Sequence, residues 1–214
     1  MKQTVYEILN PRSMENIKDF DDPNYFTERM KYYDLPVPEE KVYINIPNAR
    51  VVLENSFKYF LSKENKDLVW LPEYEEIVKW IEDNDGRGLL LFGPCGLGKS
   101  MLSRYVIPSI LFAFYDKICT IKSALQLNLS IDEVLEKKIV SIDDLGTESI
   151  LNDYGNKRLP IAELLDTAEQ KGKLLIISTN LDGAEIKNRY GSRVLERIIS
   201  TTKRIEFKGD SLRR

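Results

Sequence analysis

Short unbroken apolar runs, separated by amphipathic stretches, dominate the chain from residue 89 onward. Leu89-Leu90-Leu91-Phe92 is the first, Ile139-Val140-Ser141-Ile142 follows, and Leu174-Leu175-Ile176-Ile177-Ser178 is the strongest. Continuous rather than alternating apolar character suits a strand buried on both faces, which points to parallel pairing. Ile118-Cys119-Thr120-Ile121 is a weaker strand signal, and Arg204 to Phe207 is the last. Between these runs the pattern predicts helices. One runs from Lys99 to about Tyr115, with Pro108 expected to kink or end its first half. Others cover Ile131 to Lys137, about Arg158 to Lys171 with Gly172 as the stop, 183–190 and 191–200. Strands alternating with helices imply an α/β fold built on a parallel, doubly wound sheet with helices on both faces.

Upstream the pattern differs. Residues 49–63 and 72–84 are predicted helical; Pro72 opens the second, and Ile77, Val78, Trp80 and Ile81 form its apolar stripe. Asp85-Gly86 and Gly88 then break it. The first forty or so residues are rich in turn signals, such as Asn10-Pro11, Asp21-Asp22-Pro23-Asn24 and Leu35-Pro36-Val37-Pro38. They also carry Tyr6, Phe20, Tyr25, Phe26, Tyr32 and Tyr33, which favours short helices and loops that dock on something over a plain linker. The expected division is a helical and irregular partner-binding region over 1–84 and an α/β domain over 85–214.

Composition narrows the class. Hydrophobic residues make up 43% and charged residues 30%, the balance of a globular domain. No apolar run approaches the roughly 20 residues that span a bilayer, and Met1-Lys2-Gln3-Thr4 does not open a signal peptide, so no membrane role is expected. Two cysteines, Cys95 and Cys119, provide no disulfide framework, which fits a cytoplasmic protein. The absence of histidine removes imidazole acid–base chemistry, His triads and His metal sites. Net charge is −3, divided unevenly: residues 1–85 hold 11 Lys/Arg against 18 Asp/Glu, and residues 86–214 hold 20 against 16. The second part is only mildly basic; Lys117, Lys122, Lys137 and Lys138 would make a modest phosphate-contacting patch, or simply solvated surface.

The chemistry begins at Gly93-Pro94-Cys95-Gly96-Leu97-Gly98-Lys99-Ser100. Gly-x-x-x-x-Gly-Lys-Ser between a strand and a helix is the phosphate-binding loop, whose glycines let backbone amides turn inward around phosphates. Lys99 would supply a point charge to the β- and γ-phosphates and Ser100 a hydroxyl to Mg²⁺, with Met101 closing the loop's expected contact set. Cys95, inside this loop, reads first as a small filler rather than a redox switch. The expected ligand is therefore Mg²⁺ with ATP. Paired carboxylates, Asp143-Asp144, follow a buried strand at its C-terminal end, where α/β sheets place ligands. Asp143 is expected on the metal side and Asp144 on the attacking water, though its short side chain leaves the rate of hydrolysis open. Ser178-Thr179-Asn180 ends the strongest strand, and Asn180, then Thr179, is the candidate for reaching the γ-phosphate. Arg193 and Arg197 stand one helical turn apart, suited to a γ-phosphate in the same subunit or across an interface, or to a solvated basic face paired with neighbours such as Glu196.

Together the loop, Ile142-Asp143-Asp144-Leu145-Gly146-Thr147-Glu148, Ile177-Ser178-Thr179-Asn180-Leu181 and Tyr190-Gly191-Ser192-Arg193 to Arg197 resemble AAA+ ATPases of the DnaC/DnaI helicase-loader type. They resemble equally the IstB-type transposition ATPases. The ending Phe207-Lys208-Gly209-Asp210-Ser211-Leu212-Arg213 is similar to that group's C-terminus, and the resemblance covers roughly residues 85–214. It implies a homo-oligomeric ATPase with its nucleotide between subunits, Arg197 as the interfacial arginine finger, Arg193 as the adjacent motif arginine and Asn180 as sensor. It also implies single-stranded DNA binding and, through the N-terminal region, a replicative helicase or a transposase as partner. The expected function is helicase loading in DNA replication; a transposition helper and a nucleotide-dependent binding switch with little turnover are the alternatives.

Overall fold

The structure, a computed structural model, describes residues 22, 24–37, 39–148, 151–153 and 156–212. The chain divides into two compact units, Met1–Glu39 and Glu40–Arg214. In the first, α1 (Tyr25–Tyr32) buries none of its residues, and the Arg29 guanidinium lies 5.6 Å and 5.7 Å from the ring centroids of Tyr25 and Tyr33. The expectations placed on Tyr6, Asn10-Pro11 and Phe20 lie outside the described residues.

The second unit is built on a five-stranded sheet in which every pairing is parallel. Its strands are β1 (Gly88–Phe92), β2 (Thr120–Ser123), β3 (Ile139–Leu145), β6 (Leu174–Thr179) and β7 (Thr202–Glu206), in the spatial order β2-β3-β6-β1-β7. The chain leaves central β1 for the far edge at β2, steps back through β3 and β6, and crosses to the other side of β1 for β7. Such a reversal opens a crevice beyond the C-terminal ends of the central strands. A two-stranded antiparallel hairpin, β4 (Leu151–Asp153) with β5 (Asn156–Arg158), follows β3; nothing in the apolar pattern announces it.

Alternate strand residues serve opposite layers, as the pleat requires. Leu89, Leu91, Leu174 and Ile176 join one apolar cluster, while Leu90, Leu175, Ile177, Val140 and Ile142 join the other. The second cluster is covered by α5 (Ala124–Leu135), α6 (Pro160–Gln170), α7 (Gly183–Tyr190) and α8 (Ser192–Thr201). The first is covered by α2 (Ala49–Ser62), α3 (Glu73–Glu82) and α4, which starts at Lys99–Met101, passes through a π-helical stretch Leu102–Val106 and continues as Ile107–Tyr115. Residues 41–46 run extended beside α3, burying Val42, Ile44 and Ile46 and exposing the residues between. Buried Asn84 ties them down: its side chain accepts from Ile44 N at 2.8 Å and donates to Val42 O at 2.9 Å. Residues 40–84 thus pack in the same compact unit as the sheet. The cause is the apolar stripe of α3, which meets β1, β7 and α2 instead of a separate core.

Two helix expectations change. Pro108 neither ends nor breaks α4; the π-helical stretch immediately before it absorbs the lost N–H and the ring's clash with the preceding turn. The helix expected to begin at Ile131 begins at Ala124, nucleated by a capping box in which Ser123 Oγ accepts from Gln126 N and Gln126 Oε1 from Ser123 N. A non-helical Ser130 (φ −136°) interrupts it, which hides the longer element from a periodicity argument.

Candidate functional site

The site is assembled from the C-terminal ends of β1, β3 and β6. After β1 the chain enters the glycine loop with φ +125° at Gly93 and +86° at Gly96, backbone that L side chains rarely adopt. Space forbids a side chain as well: a Cβ at Gly93 would lie 2.2 Å from Phe207 O, and one at Gly96 2.0 Å from Ser211 Oγ. The loop then feeds the first turn of α4 at Lys99, whose buried ammonium donates to Gly93 O at 2.7 Å and Pro94 O at 2.6 Å. A glycine loop leading into a helix N-terminus, with an ammonium inside the loop, is an arrangement that accepts an anion.

Around the end of β3 the ladder to β6 loses register between Ile142 and Leu145, and Asp144 takes φ +55°. This irregularity sends the two carboxylates to different environments. Asp143 is buried under α4, where Oδ1 accepts from Ser103 Oγ at 2.8 Å and Ser178 Oγ at 2.5 Å; its Oδ2 stands 3.7 Å from Arg104 Nη1. Asp144, half-buried, donates its N–H to Ser178 Oγ at 3.0 Å and turns its side chain into an open cleft. Ser178 therefore serves both acidic residues at once. Thr179 is spoken for: its hydroxyl donates to Leu145 O at 2.6 Å and accepts from Leu181 N at 3.1 Å. Asn180, exposed just beyond, is the polar group that β6 presents to the cleft.

The cleft has a volume of about 890 Å³. Its lining combines the polar Gly96, Gly98, Lys99, Ser100, Asp144 and Asn180 with the apolar and aromatic Phe57, Leu61, Leu68, Val69, Tyr74 and Tyr105, and with the charged Glu64, Lys66, Asp67 and Arg104. Charged groups and aromatic surface in one cavity suit a ligand that carries both charge and a flat apolar part. Tyr74 sits beneath the loop. Burial, and then the charge of Glu73, push its phenol well above the usual range, so it stays a neutral donor 3.5 Å from Leu97 O. Among the described residues no three His, Cys, Asp or Glu side chains gather as a metal site. Ser100 and the Asp143–Asp144 pair fit a Mg²⁺ that takes most of its remaining ligands from phosphate oxygens and water.

Comparison with solved structures locates this architecture. The DnaC helicase loader superposes with a TM-score of 0.55 at 19% identity, over 66% of this chain and 94% of that one. A DNA replication initiation factor gives 0.51 at 11% identity, over 67% and 49%. A candidate primosome component from Streptococcus pyogenes serotype M3 gives 0.50 at 16%, over 79% and 86%. The chain has the α/β P-loop NTPase fold. No protein-family model matches the sequence, and a search of curated proteins finds no match.

Within this fold the expected arginines lie apart from the cleft. Arg193 and Arg197 project from α8 onto α6, where both meet Asp166: Arg193 Nη2 is 2.7 Å from Oδ2, and Arg197 Nε is 2.6 Å from Oδ1 without hydrogen-bond geometry. Arg197 also pairs with Glu169. Neither guanidinium lines the cleft that holds Lys99, so the structure does not bring them to a ligand in the same chain. Glu148 has a structural post. Its carboxylate accepts from Gly146 N at 2.9 Å and from the Tyr190 hydroxyl, and Arg189 donates to its carbonyl, which ties the β3 exit to the end of α7.

Sequence reasoning overlooked Arg104, Tyr74, Tyr105 and the cleft-facing tail residues Asp210, Ser211 and Leu212. Ser103 had a usable signal, one helical turn beyond Ser100 and so on the same face. Ser178 was noted only as part of a tripeptide, although a polar side chain ending the most apolar strand needs a buried partner.

Proposed function

We propose that this chain binds Mg-ATP in the cleft, with the phosphates on the Gly93–Ser100 loop and the base toward Leu68, Val69 and Tyr105, and hydrolyses it. One observation carries the reading: Lys99, Ser100, Asp144 and Asn180, supplied by three different strand ends, converge on a single cavity with Asp143 directly beneath. Lys99 would exchange its two loop carbonyls for phosphate oxygens. Ser100 and Asp143 would hold Mg²⁺, which when bound draws charge from the phosphates. Asp144 would orient and deprotonate the attacking water, and Asn180 would fix that water or the terminal phosphate. Arg197 and Arg193 would act only on a nucleotide held by a neighbouring copy, which makes a homo-oligomer part of the proposal.

The larger role we propose is helicase loading in DNA replication, on single-stranded DNA, with residues 1–84 meeting the helicase. The motifs and the shared fold with a helicase loader support it; the fold is what that likeness carries. The transposition reading rests on the same motifs and gains no separate observation. The test is direct. Wild-type protein is assayed for ATP binding by calorimetry and for phosphate release with and without single-stranded DNA, beside Asp144→Asn. Binding retained by both, with turnover at least about tenfold lower in the variant, fits the assignment. Equal turnover removes Asp144 from the chemistry, and binding without turnover in the wild type favours the switch.

A further inference from the structure

Beyond β7 the chain folds back along the glycine loop. Phe207 N donates to Phe92 O at 2.8 Å, Lys208 N to Glu73 Oε1 at 2.9 Å, and Leu212 N to Gly96 O at 3.0 Å. Gly209, at φ +111°, makes the turn between the last two contacts. Phe207 itself is buried beside Tyr74, with ring centroids 6.1 Å apart. Residues 208–212 are thus a strap anchored at one end on α3 and at the other on the loop. The same helix reaches the loop a second time, because a Cβ at Gly98 would lie 2.8 Å from the Tyr74 hydroxyl.

The contact at Gly96 has a consequence for its neighbour. In a planar trans peptide the carbonyl and the next N–H point in opposite directions. Holding Gly96 O against Leu212 N therefore turns the Leu97 N–H away from the strap and restrains the whole peptide plane. Ser211, packed on Gly96 where no Cβ fits, blocks the rotation that would undo it. A loop whose binding power lies in backbone donors gains affinity when those donors are fixed beforehand.

We infer that the strap Lys208–Leu212 is a clasp that sets the Gly96–Leu97 peptide for phosphate binding, so that the chain's tail is a positioning part of the nucleotide site. This rests on the ATP reading above. Asp210 also lines the cleft, so a tail that repels the phosphates would show the opposite sign in the experiment below.

Leu212→Pro deletes the donating N–H, while Leu212→Ala keeps it and loses only the side chain. Two measurements apply to the full chain. Amide hydrogen exchange over residues 93–98, without nucleotide, should quicken in Leu212→Pro and stay at the wild-type rate in Leu212→Ala. ATP affinity by calorimetry should fall about fivefold to tenfold further in Leu212→Pro than in Leu212→Ala, whose own change measures the cleft-facing side chain; that extra loss is the worth of one well-placed hydrogen bond. Unchanged loop exchange, ATP affinity equal to that of Leu212→Ala or tighter binding in Leu212→Pro each overturns the clasp, the last in favour of an occluding tail. Should the proline variant fold poorly, Ser211→Gly, which frees the Gly96 face, takes its place with the same expectations. Failure of the wild type to bind ATP is a different result, because it removes the nucleotide reading while loop exchange still reports on the strap.

Discussion

Lys99 and Arg197 are both basic residues expected at a phosphate, yet the fold treats them in opposite ways. Lys99 is buried inside its own loop and held by carbonyls that an anion can replace. Arg197 already has anionic partners, Asp166 and Glu169, on the adjacent helix. On the proposed reading, the loop end of the sheet would be a site that one chain completes. The α8 face is a site only if something from outside competes with α6 for its guanidiniums. If the proposal holds, the difference separates binding, which the single chain would supply, from any step that needs a second copy.

The largest effect expected from that contrast is at Lys99. Lys99→Ala should lower ATP affinity by about a hundredfold or more, since it removes the buried cation that the loop holds where the phosphates would sit. The melting temperature should stay within a few degrees, because the two carbonyls that the lysine bonds belong to its own loop. Calorimetric titration beside thermal melting reads both. Ordinary affinity in this variant would mean that the loop is not the phosphate site, and the contrast with α8 would collapse.

Arg197→Ala should show the reverse profile. At concentrations where ultracentrifugation finds a monomer, ATP affinity should stay within about twofold of wild type. Loss of these partly buried ion pairs should cost on the order of 1–2 kcal/mol of stability. Where the protein assembles, phosphate release should fall about tenfold or more, the scale on which an arginine finger acts. Asp166→Asn sharpens the test by removing the carboxylate the two arginines share, which leaves Arg197 its pair with Glu169. If Arg197→Ala weakens binding in the monomer, the arginine reaches the nucleotide of its own chain and the division drawn here is wrong.

What could be read without coordinates follows the same line. The parallel sheet, the loop and the strand-end placement of Asp143, Asp144 and Asn180 depend on local runs: an apolar strand, then a glycine or an acid at its end. Such runs are visible one at a time. The different environments of Asp143 and Asp144 were not visible, because they come from a register shift between β3 and β6 and from hydroxyls on two other elements. The partners of Arg193 and Arg197 were hidden for a related reason: α6 and α8 meet only through the fold, and charge spacing along α8 carries no trace of Asp166. The strap and the extended segment 41–46 join residues far apart in the chain. Only the alternation Val42-Tyr43-Ile44-Asn45-Ile46 hinted at the segment.

The smallest expected effect uses the two cysteines, one at the loop and one away from it. Cys95 is exposed on the loop and lines the cleft. Cys119 is partly buried, and burial pushes its thiol up to about 12. The thiolate is the reactive form, so raising the pKa leaves Cys119 almost wholly protonated at pH 8 and still so at pH 9. A maleimide at pH 8 should therefore add one label, at Cys95, and moving to pH 9 should not recruit the second thiol; mass spectrometry of the digest assigns it. Saturating Mg-ATP should slow the Cys95 reaction severalfold in wild type and in Arg197→Ala alike, and leave it unchanged in Lys99→Ala. Protection that survives in Lys99→Ala would place the nucleotide in the cleft without its phosphates on the loop. Protection lost in Arg197→Ala would make the arginine face part of the single-chain site, against the two-part division of loop and helix.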